Sequence, residues 1–255
     1  MHKGETMQQF LDKEIIRKQQ FESVWVNKLD DVFADVAAYY DRVNIFASLG
    51  LLNWWRRRFI ATIDTSPNQK VLDVCAGTNV IGRALLSKEP SLDVQAMDKS
   101  AAMQEVGQQL AQQKGFTIKS TIGDVHQLPF PDNHFDIVTL QWASRHLQIV
   151  DVFSEINRVL KPGGHFYHCD MLRPSNKFVA QLYYGYLSVS VPVLAFIFRS
   201  GPAALDCRRY FIDAIRLFYS SDELSELLST IGYSNISKKD ILGGMIGFHK
   251  ACKAK

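Results

Sequence analysis

Between residues 70 and 170 the chain alternates short apolar runs with longer segments of helical periodicity. The apolar runs are KVLDV, LDVQAMD, FTIKSTIGD, FDIVTLQW and HFYHCDML, and the helical patterns are VIGRALLSK, SAAMQEVGQQLAQQ and IVDVFSEINRVL. KPGG at Lys161–Gly164 ends the last of these helices, because Pro cannot continue it and Gly permits a turn. Strands that alternate with helices are typical of βαβ units, so the pattern predicts an α/β fold with a parallel sheet covered on both faces.

The flanking segments have different patterns. Residues 5 to about 43 are polar with apolar residues at helical spacing, which predicts one or two amphipathic helices that cover the sheet-forming region. Residues 174 to 230 read as a second helical region, broken by RSGPAA. The C-terminal segment predicts two strands joined at Gly243-Gly244, closing the sheet with an antiparallel edge. We expect one domain over residues 1–255: a helical lid (1–60), a cofactor-binding core (70–170), substrate-side helices (171–230) and C-terminal strands (231–255).

Composition narrows the class of protein. A chain of 255 residues that is 47% hydrophobic and 22% charged suits a compact core. The net charge of +3 is nearly balanced, which gives dedicated nucleic-acid binding little support. Four widely spaced cysteines indicate neither disulfides nor zinc, and the polar N-terminus contains no secretory signal, so we expect a cytoplasmic protein. The most apolar stretch, Leu187–Phe198, contains Pro192 and is shorter than the ~20 residues that cross a bilayer.

Polar side chains close the predicted strands. Asp73 ends the first strand, Asp98 the second and Asp124 follows the third, while Gln141 and Trp142 end the fourth. Ligands of doubly wound sheets bind outside these carboxyl ends, and an acid after the second strand is placed to bind ribose hydroxyls. The first turn, VLDVCAGTN, is not GxGxxG and precedes no Walker lysine. A nucleoside ligand without phosphates remains, and S-adenosylmethionine (SAM) is the obvious one.

Six segments carry a resemblance to a known family. They are YDRVNIFASLGLLNWWRR at Tyr40–Arg57, VLDVCAGT, GDVHQLPFPDNHFDIVTL at Gly123–Leu140, EINRVLKPGG at Glu155–Gly164, RRYFIDAI at Arg208–Ile215, and ILGGMIGFHKACK. Through them the chain resembles the class I SAM-dependent methyltransferases, and within these the UbiE/MenG/Coq5 family, which C-methylates the ring of prenylated quinol precursors. The resemblance implies a Rossmann-like, seven-stranded, mostly parallel sheet flanked by helices, SAM as methyl donor, S-adenosylhomocysteine as product, and no metal.

The resemblance also assigns roles to residues. Class I methyltransferases typically have Gly at the positions of Cys75, Gly77 and Asn79, of which only Gly77 remains, and we interpret the turn as modified but still able to bind SAM. Arg145 and His146 fall where the family has a substrate-side Arg-Asn pair; a His, or a water polarised by Arg145, can take a hydroxyl proton. The catalytic candidates are therefore Arg145, His146 and Tyr40. Tyr40 belongs to the lid, together with Asp41, Asn44, Trp54 and Trp55. The other cofactor-binding candidates are Asp73, Asp98, Lys99, Met103, Asp124, Val125, Gln141 and Trp142.

Two alternatives stay open. The altered turn and the aromatic residues from 39 to 59 would also suit C-methylation of a prenyl or terpenoid chain, where aromatic faces stabilise a carbocation. Loss of two turn glycines would suit a non-catalytic subunit of a quinone-synthesis assembly. The hydrophobic patch of Tyr183, Tyr184, Tyr186 and the run to Phe198 resembles the family's wall for the prenyl tail, and it would equally serve a homodimer contact or peripheral contact with the inner membrane. Four other histidines, His126, His134, His165 and His168, are assigned structural roles.

Overall fold

The computed structural model describes residues 3–37, 39–197 and 208–255. Strands are β1 (Lys70–Val74), β2 (Asp93–Asp98), β3 (Lys119–Ile122), β4 (Phe135–Gln141), β5 (Leu160–Met171), β6 (Tyr233–Ile241) and β7 (Ile246–Lys253). Helices are α1 (Lys3–Asn27), α2 (Leu29–Val36), α3 (Tyr40–Ala47), α4 (Leu52–Ala61), α5 (Val80–Lys88), α6 (Ala101–Gln112), α7 (Ile149–Val159), α8 (Lys177–Ile197), α9 (Arg208–Arg216) and α10 (Ser221–Ile231), with a 3-10 turn at Ser144–His146.

The seven strands form one sheet in the order β3-β2-β1-β4-β5-β7-β6. Neighbouring strands from β3 to β5 pair in parallel, whereas β7 is antiparallel to both β5 and β6. The chain order reverses between β1 and β4, so the connections after these two strands diverge and leave a crevice at their carboxyl edge. The predicted α/β class and the mostly parallel sheet are confirmed.

Helices cover both faces of this sheet. On one face, α7 and α10 bury Phe153, Ile156 and Leu227 against β4 and β5. On the other face, α4 and α5 bury Phe59 and Leu85 against β1 and β2. Because both faces are covered, the central strands are apolar on both sides, which explains their continuous hydrophobic runs.

The predicted C-terminal hairpin is confirmed: β6 and β7, joined at Gly243-Gly244, close the sheet with an antiparallel edge, in which β7 pairs with β5 and β6 lies outside it. Two other strand predictions need correction. Strand β5 begins at Leu160, so it includes KPGG, and the register shift between Phe135 and Ile137 accommodates those extra residues. Strand β3 is shorter than FTIKSTIGD and is mostly exposed, since it pairs on one side only.

The N-terminal region contains more helices than predicted. Residues 5 to 43 include α1, α2 and the start of α3 instead of one or two helices. The break between α1 and α2 lets Phe21 and Leu29 bury in the same cluster, together with Tyr210 and Ala214 of α9. Burial against α9 therefore decides where the first helix ends.

The second helical region is confirmed as α8, α9 and α10, while the predicted break at RSGPAA, together with Phe198 and Cys207, lies outside the described residues. The described residues of the predicted hydrophobic patch lie on different sides of α8. Tyr183 and Leu187 are buried, whereas Tyr186 is exposed. Within the described ranges, no helix combines the length and apolar character needed to cross a bilayer.

Candidate active site

The turn after β1 keeps the left-handed backbone conformation that glycine favours, although two of its three usual glycine positions hold other residues. Cys75, Gly77 and Asn79 have φ values of 52°, 52° and 57°. This left-handed conformation costs a residue with a Cβ about 1–2 kcal/mol, and Asn tolerates it better than most. The substituted positions thus retain the conformation that the usual glycines would adopt, and the turn leads directly into α5, whose N-cap is Asn79.

Side chains from α6 hold this turn in place. The amide of Gln104 donates through Nε2 to the Gly77 carbonyl oxygen and to Asn79 Oδ1, both at 2.9 Å, and its Oε1 accepts from the Ser120 hydroxyl at 2.6 Å. Asn79 is wholly buried, and its side chain lies against Gly107, where an added Cβ would come 2.8 Å from Asn79 Nδ2. The side chain of Asn79 therefore faces α6 and can affect a cofactor only through the backbone.

Asp98 connects the turn to the start of α6. Its Oδ2 accepts from the Gly77 amide at 2.7 Å and its Oδ1 from the Ser100 amide at 2.8 Å. Ser100 is the N-cap of α6 and accepts from the Met103 amide at 3.3 Å. Each carboxylate oxygen can accept more than one hydrogen bond, so Asp98 can also bind a pair of hydroxyl groups.

Asp73 is buried at the end of β1 with one oxygen unused. Its Oδ1 accepts from the Thr139 hydroxyl at 2.6 Å, whereas Oδ2 has no hydrogen-bond partner among the described residues. Burial raises the pKa of Asp73 to about 7, against the opposing effect of the Thr139 hydrogen bond. A cationic group beside Oδ2 would satisfy this oxygen and restore the charge.

A cavity of about 460 Å³ lies at this edge of the sheet. Strand ends and the turn form one side, and residues of α1, α2 and α3, including Trp25, Leu29 and Phe33, form the other. Asp41 joins the two sides, because it accepts from Thr78 Oγ1 at 3.1 Å and from Arg56 Nη2 at 3.2 Å. The predicted residues that line the cavity are Tyr40, Asp73, Cys75, Gly77, Asp98, Lys99, Met103, Asp124, Val125, Gln141, Trp142 and His146.

Arg145, the predicted partner of His146, is not among the lining residues. Its Nη1 donates to Asp170 Oδ1 at 2.5 Å and to the Trp142 carbonyl oxygen at 2.9 Å. Burial lowers the pKa of Arg145, and the adjacent Asp170 carboxylate outweighs this and raises it. Asp170 is fully buried and also accepts from the Ser144 hydroxyl at 2.6 Å. Arg145 is thus a fixed cation behind the cavity wall, near the phenol of Tyr40.

His146 has one nitrogen bonded and the other unpartnered. Nδ1 lies 2.5 Å from the hydroxyl of Tyr210, which also accepts from Trp25 Nε1 at 2.9 Å. Nε2 is buried and has no hydrogen-bond partner among the described residues. Burial, and then the charges of Arg145 and Arg17, lower the pKa of His146 well below its usual value. The ring is therefore neutral at pH 7, and Nε2 can accept a proton in the tautomer that carries its hydrogen on Nδ1.

Five of the ten buried side-chain polar atoms that lack a hydrogen-bond partner among the described residues belong to residues that line the cavity. Gln141 Nε2 and Trp142 Nε1 belong to this group, with His146 Nε2 and Asp73 Oδ2. Trp142 also has a φ of 59°, which is rare for a bulky residue and strained. Buried polar groups normally have partners, so this clustering indicates where ligand atoms bind.

Several of these residues were not predicted from the sequence. Asp170 lies near the end of β5 at the same sheet edge as Asp73 and Asp98, so the rule that identified those two would also have found it. His126, predicted to be structural, lines the cavity and contacts Asp124 Oδ1 through Nδ1 at 2.5 Å. Two lid predictions differ: Trp54 is 41% exposed, because it lies on the outer side of α4 beneath Arg58, and Trp55 is buried against Trp142. Tyr183, Tyr184 and Tyr186 do not line the cavity.

The strand order and the site at the carboxyl ends of β1 and β2 define a SAM-dependent methyltransferase of class I. The residues present fit SAM, since Asp73 offers an unpartnered oxygen and Gly77 presents backbone without a side chain to the cavity.

Comparison with known proteins gives the family. Residues 21–253 match the family model described as "ubiE/COQ5 methyltransferase family", and the chain belongs to this family. It is 33% identical over 227 residues to a demethylmenaquinone methyltransferase of Renibacterium salmoninarum, covering 87% of this chain and 90% of the relative. It is 30% identical over 236 residues to the ubiquinone/menaquinone biosynthesis C-methyltransferase UbiE of Ectopseudomonas mendocina, covering 91% of each.

A solved structure shares the fold. Phosphoethanolamine N-methyltransferase 2 of Haemonchus contortus, in complex with S-adenosyl-L-methionine, matches with a TM-score of 0.59 and 15% identity, covering 81% of this chain and 53% of that one. At this identity the likeness concerns the fold alone.

Proposed function

We propose that this protein transfers the methyl group of SAM to a ring carbon of a hydrophobic, prenylated quinol. Family membership and the relatives' names, which refer to demethylmenaquinone and to ubiquinone/menaquinone biosynthesis, support this substrate class. The observation that carries the proposal is that the neutral His146, with Nε2 unpartnered, lines the same cavity as the turn after β1. A proton acceptor is thus available beside the proposed methyl-donor site.

The chemistry requires deprotonation near the ring. SAM supplies an electrophilic methyl group on a sulfonium. Removal of a hydroxyl proton makes the quinol phenolate-like and raises electron density at the ring carbon, and His146 Nε2 is the base that we assign to this step. The positive charge of Arg145, held by Asp170, stabilises negative charge that develops on the substrate oxygen. Trp142 Nε1 and Gln141 Nε2 are the donors that can orient substrate oxygens.

The cofactor residues have distinct proposed tasks. Asp98 binds the ribose hydroxyls, and Met103, Asp124 and Val125 surround the adenine. Asp73 Oδ2 accepts from the ammonium group of the methionine part. Lys99, Cys75 and Gly77 also line the cavity.

The apolar part of the substrate needs a wall, which we assign to the N-terminal helices. Trp25, Val26, Leu29 and Phe33 line the cavity opposite the strand ends. The tyrosines of α8, which the sequence suggested for this wall, do not line the cavity. Burial of an apolar tail against these side chains stabilises the complex by roughly 25 cal/mol per Å² removed from water, and it excludes water from the reacting groups.

Neither alternative gains support. The relatives are named as quinone-biosynthesis methyltransferases, which favours a ring over a prenyl chain. The turn keeps the glycine conformation at Cys75 and Asn79, which favours a working cofactor site over a non-catalytic subunit.

Two measurements test the proposal. The first is calorimetric titration with SAM and S-adenosylhomocysteine of the wild-type protein, Asp98→Ala and a control, Asp222→Ala, whose carboxylate is exposed on α10. We expect Asp98→Ala to weaken binding at least tenfold, about 1.4 kcal/mol, and the control to change nothing. The second is mass spectrometry of products from a short-tailed demethylmenaquinol and from a prenyl diphosphate. A methylated prenyl diphosphate without methylated quinol would overturn the proposed substrate.

A further inference from the structure

The outer side of α8 is an uninterrupted apolar stripe. Phe178, Leu182, Val189, Val193 and Phe196 are 68%, 58%, 65%, 49% and 86% exposed. Their spacing of three, four or seven residues places them on one side of the helix. An α-helix of this length with no charge after Lys177 is unusual on a protein surface facing water.

A second apolar group adjoins this stripe. Phe46, Leu49, Leu51 and Trp54, at the junction of α3 and α4, are also exposed. The hydroxyl of Tyr186 on α8 donates to the carbonyl oxygen of Ala47 at 2.7 Å, so the two groups are in contact. We call the combined surface, α8 together with residues 46–54, the docking face.

The two segments that contain the docking face carry a net positive charge. Residues 42–63 and 171–197 contain six basic residues and no acidic one, although the whole chain has a net charge of only +3. Two of the six are in ion pairs, Arg56 with Asp41 and Arg173 with Glu223. The other four, which have no ion pair with a described residue and are exposed, are Arg42, Arg57, Arg58 and Lys177.

We propose that the docking face binds the surface of an anionic lipid bilayer. Exposed large apolar side chains insert below the headgroups, and basic residues at the rim pair with anionic lipids. Trp54 and Tyr186 have amphipathic rings of the type enriched at this depth, and the guanidinium of Arg58 lies 4.3 Å from the centre of the Trp54 ring. The face therefore combines exposed apolar side chains with at least one cation, Arg58, in contact with them.

A second copy of the chain fits this face less well. A two-fold interface places the same patch on both subunits, and residues 42–63 and 171–197 contain no acidic residue that could pair with the four exposed cations of the other copy. Juxtaposed like charges oppose association, whereas an anionic surface is complementary to them. The inner side of the same helix buries Tyr183 close to the charge of Arg145, so a docked bilayer would lie one helix away from the site.

Vesicle co-sedimentation of the full chain tests this docking. We expect the wild-type protein to bind vesicles of phosphatidylcholine with about a third phosphatidylglycerol, and to be released by salt. Leu182→Glu/Val189→Glu should reduce the vesicle-binding constant at least tenfold, and Arg57→Ala/Arg58→Ala should reduce it on anionic vesicles only. The matched control is Ile15→Glu/Ile16→Glu, which places the same charges at exposed apolar positions of α1 and should leave binding unchanged.

SAM titration and sedimentation velocity accompany each variant. Unchanged SAM affinity shows that a variant is folded, and vesicle binding without any methyl transfer would leave the docking proposal standing while the proposed function fails. Absence of wild-type vesicle binding, equal binding to phosphatidylcholine alone, or a dimer that Leu182→Glu/Val189→Glu converts to monomer without vesicle binding would each overturn the proposal.

Discussion

Arg17 on α1 donates a hydrogen bond through Nη2 to the main-chain oxygen of Arg145, at 2.9 Å. Arg17 is fully buried and pairs through Nη1 with Glu14 at 2.5 Å. Glu14 accepts from the Ile149 amide at 2.8 Å and from the Tyr219 hydroxyl at the same distance. The ion pair thus fixes both ends of the segment that carries His146. Both residues of this ion pair precede residue 21, where the match to the family model begins.

Removing Arg17 should therefore affect stability and turnover together. In Arg17→Met, Glu14 loses its charge partner in a buried place, and we expect the free energy of unfolding to fall by about 3–5 kcal/mol. The segment after β4 also loses the hydrogen bond to the main-chain oxygen of Arg145, so kcat should fall while the Kd for SAM changes little. Urea unfolding and saturation kinetics measure the two effects.

A double variant separates the two effects. Arg17→Met/Glu14→Gln removes the unpaired charge while retaining a side-chain oxygen for the Ile149 amide, and it should recover most of the stability but not the turnover. Recovery of both would mean that Arg17 acts on stability alone.

Gly107→Ala should weaken cofactor binding through the turn. The added Cβ would come 2.8 Å from Asn79 Nδ2 and 2.9 Å from the Thr78 carbonyl carbon, so the turn must shift. We expect SAM affinity measured by calorimetry to fall about tenfold or more, or 1.4 kcal/mol. The clash opposes helix propensity, which favours Ala over Gly by about 1 kcal/mol.

Gly185→Ala is the matched control for this substitution. It also replaces a helical glycine, but the added Cβ meets no atom within 4 Å, so SAM affinity should stay constant. Asn79→Gly/Gly107→Ala should regain part of the lost affinity, because one of the two clashes disappears. Equal SAM affinity in Gly107→Ala and the wild-type protein would mean that α6 does not hold the turn.

The sequence identifies the parts of the site that lie at strand ends. Asp73 and Asp98 follow apolar runs, and the rule that parallel strands end at one edge brings them together without coordinates. Arg17 shows the limit of this reasoning, because the main-chain oxygen of Arg145 that it binds lies 128 residues away along the chain. Long-range packing of α1 also decides which side of the cavity is apolar. Helical periodicity predicts α1 itself, but not the surface against which it packs.

The turn illustrates a second limit. Missing glycines at Cys75 and Asn79 suggest from the sequence alone either a disabled site or a modified one. The two interpretations differ in backbone angles, and these depend on the amide of Gln104 and the space beside Gly107, both on the later helix α6. No local rule connects a residue in a turn with the helix that holds it.

SAM binding should strengthen as pH rises through 7. The pKa of Asp73 is raised to about 7 by burial, so below this pH the carboxyl is protonated and offers no charge to a cation. If only the ionised carboxyl binds, affinity at pH 6 should be about fivefold lower than at pH 7, and calorimetry in buffers of matched ionic strength measures this. The ammonium of SAM itself loses its proton near pH ~8, so the rise is best followed between about pH 5.5 and 7.5.

The same shift has a consequence for folding. The native state holds this proton to a higher pH than the unfolded chain does. Titration of Asp73 therefore lowers the free energy of unfolding as pH rises from about 4 to 7. Asp73→Asn should remove both the pH dependence of SAM binding and this slope in stability. A pH dependence of binding that persists in Asp73→Asn would assign it to another group.

His146→Asn should impair turnover more than binding. If Nε2 removes the hydroxyl proton, kcat for a short-tailed quinol should fall about 100-fold or more, the range of general base catalysis, with the Kd for SAM unchanged. Tyr210→Phe, which removes the hydroxyl beside Nδ1, should have a smaller effect in the same direction because the base remains but loses its orientation. The control is His134→Asn, since His134 lies in the loop before β4 and does not line the cavity.

The pH profile of kcat distinguishes this base from a structural residue. Burial and the charges of Arg145 and Arg17 hold the pKa of His146 well below 6.5, so the neutral ring predominates and kcat should not fall between pH ~8 and 6.5. Arg17→Met removes one of these charges, and it should move the acidic limb of the profile to higher pH. If His146→Asn leaves kcat and its pH profile intact, the proton leaves by another route. The first such route to test is a water polarised by Arg145.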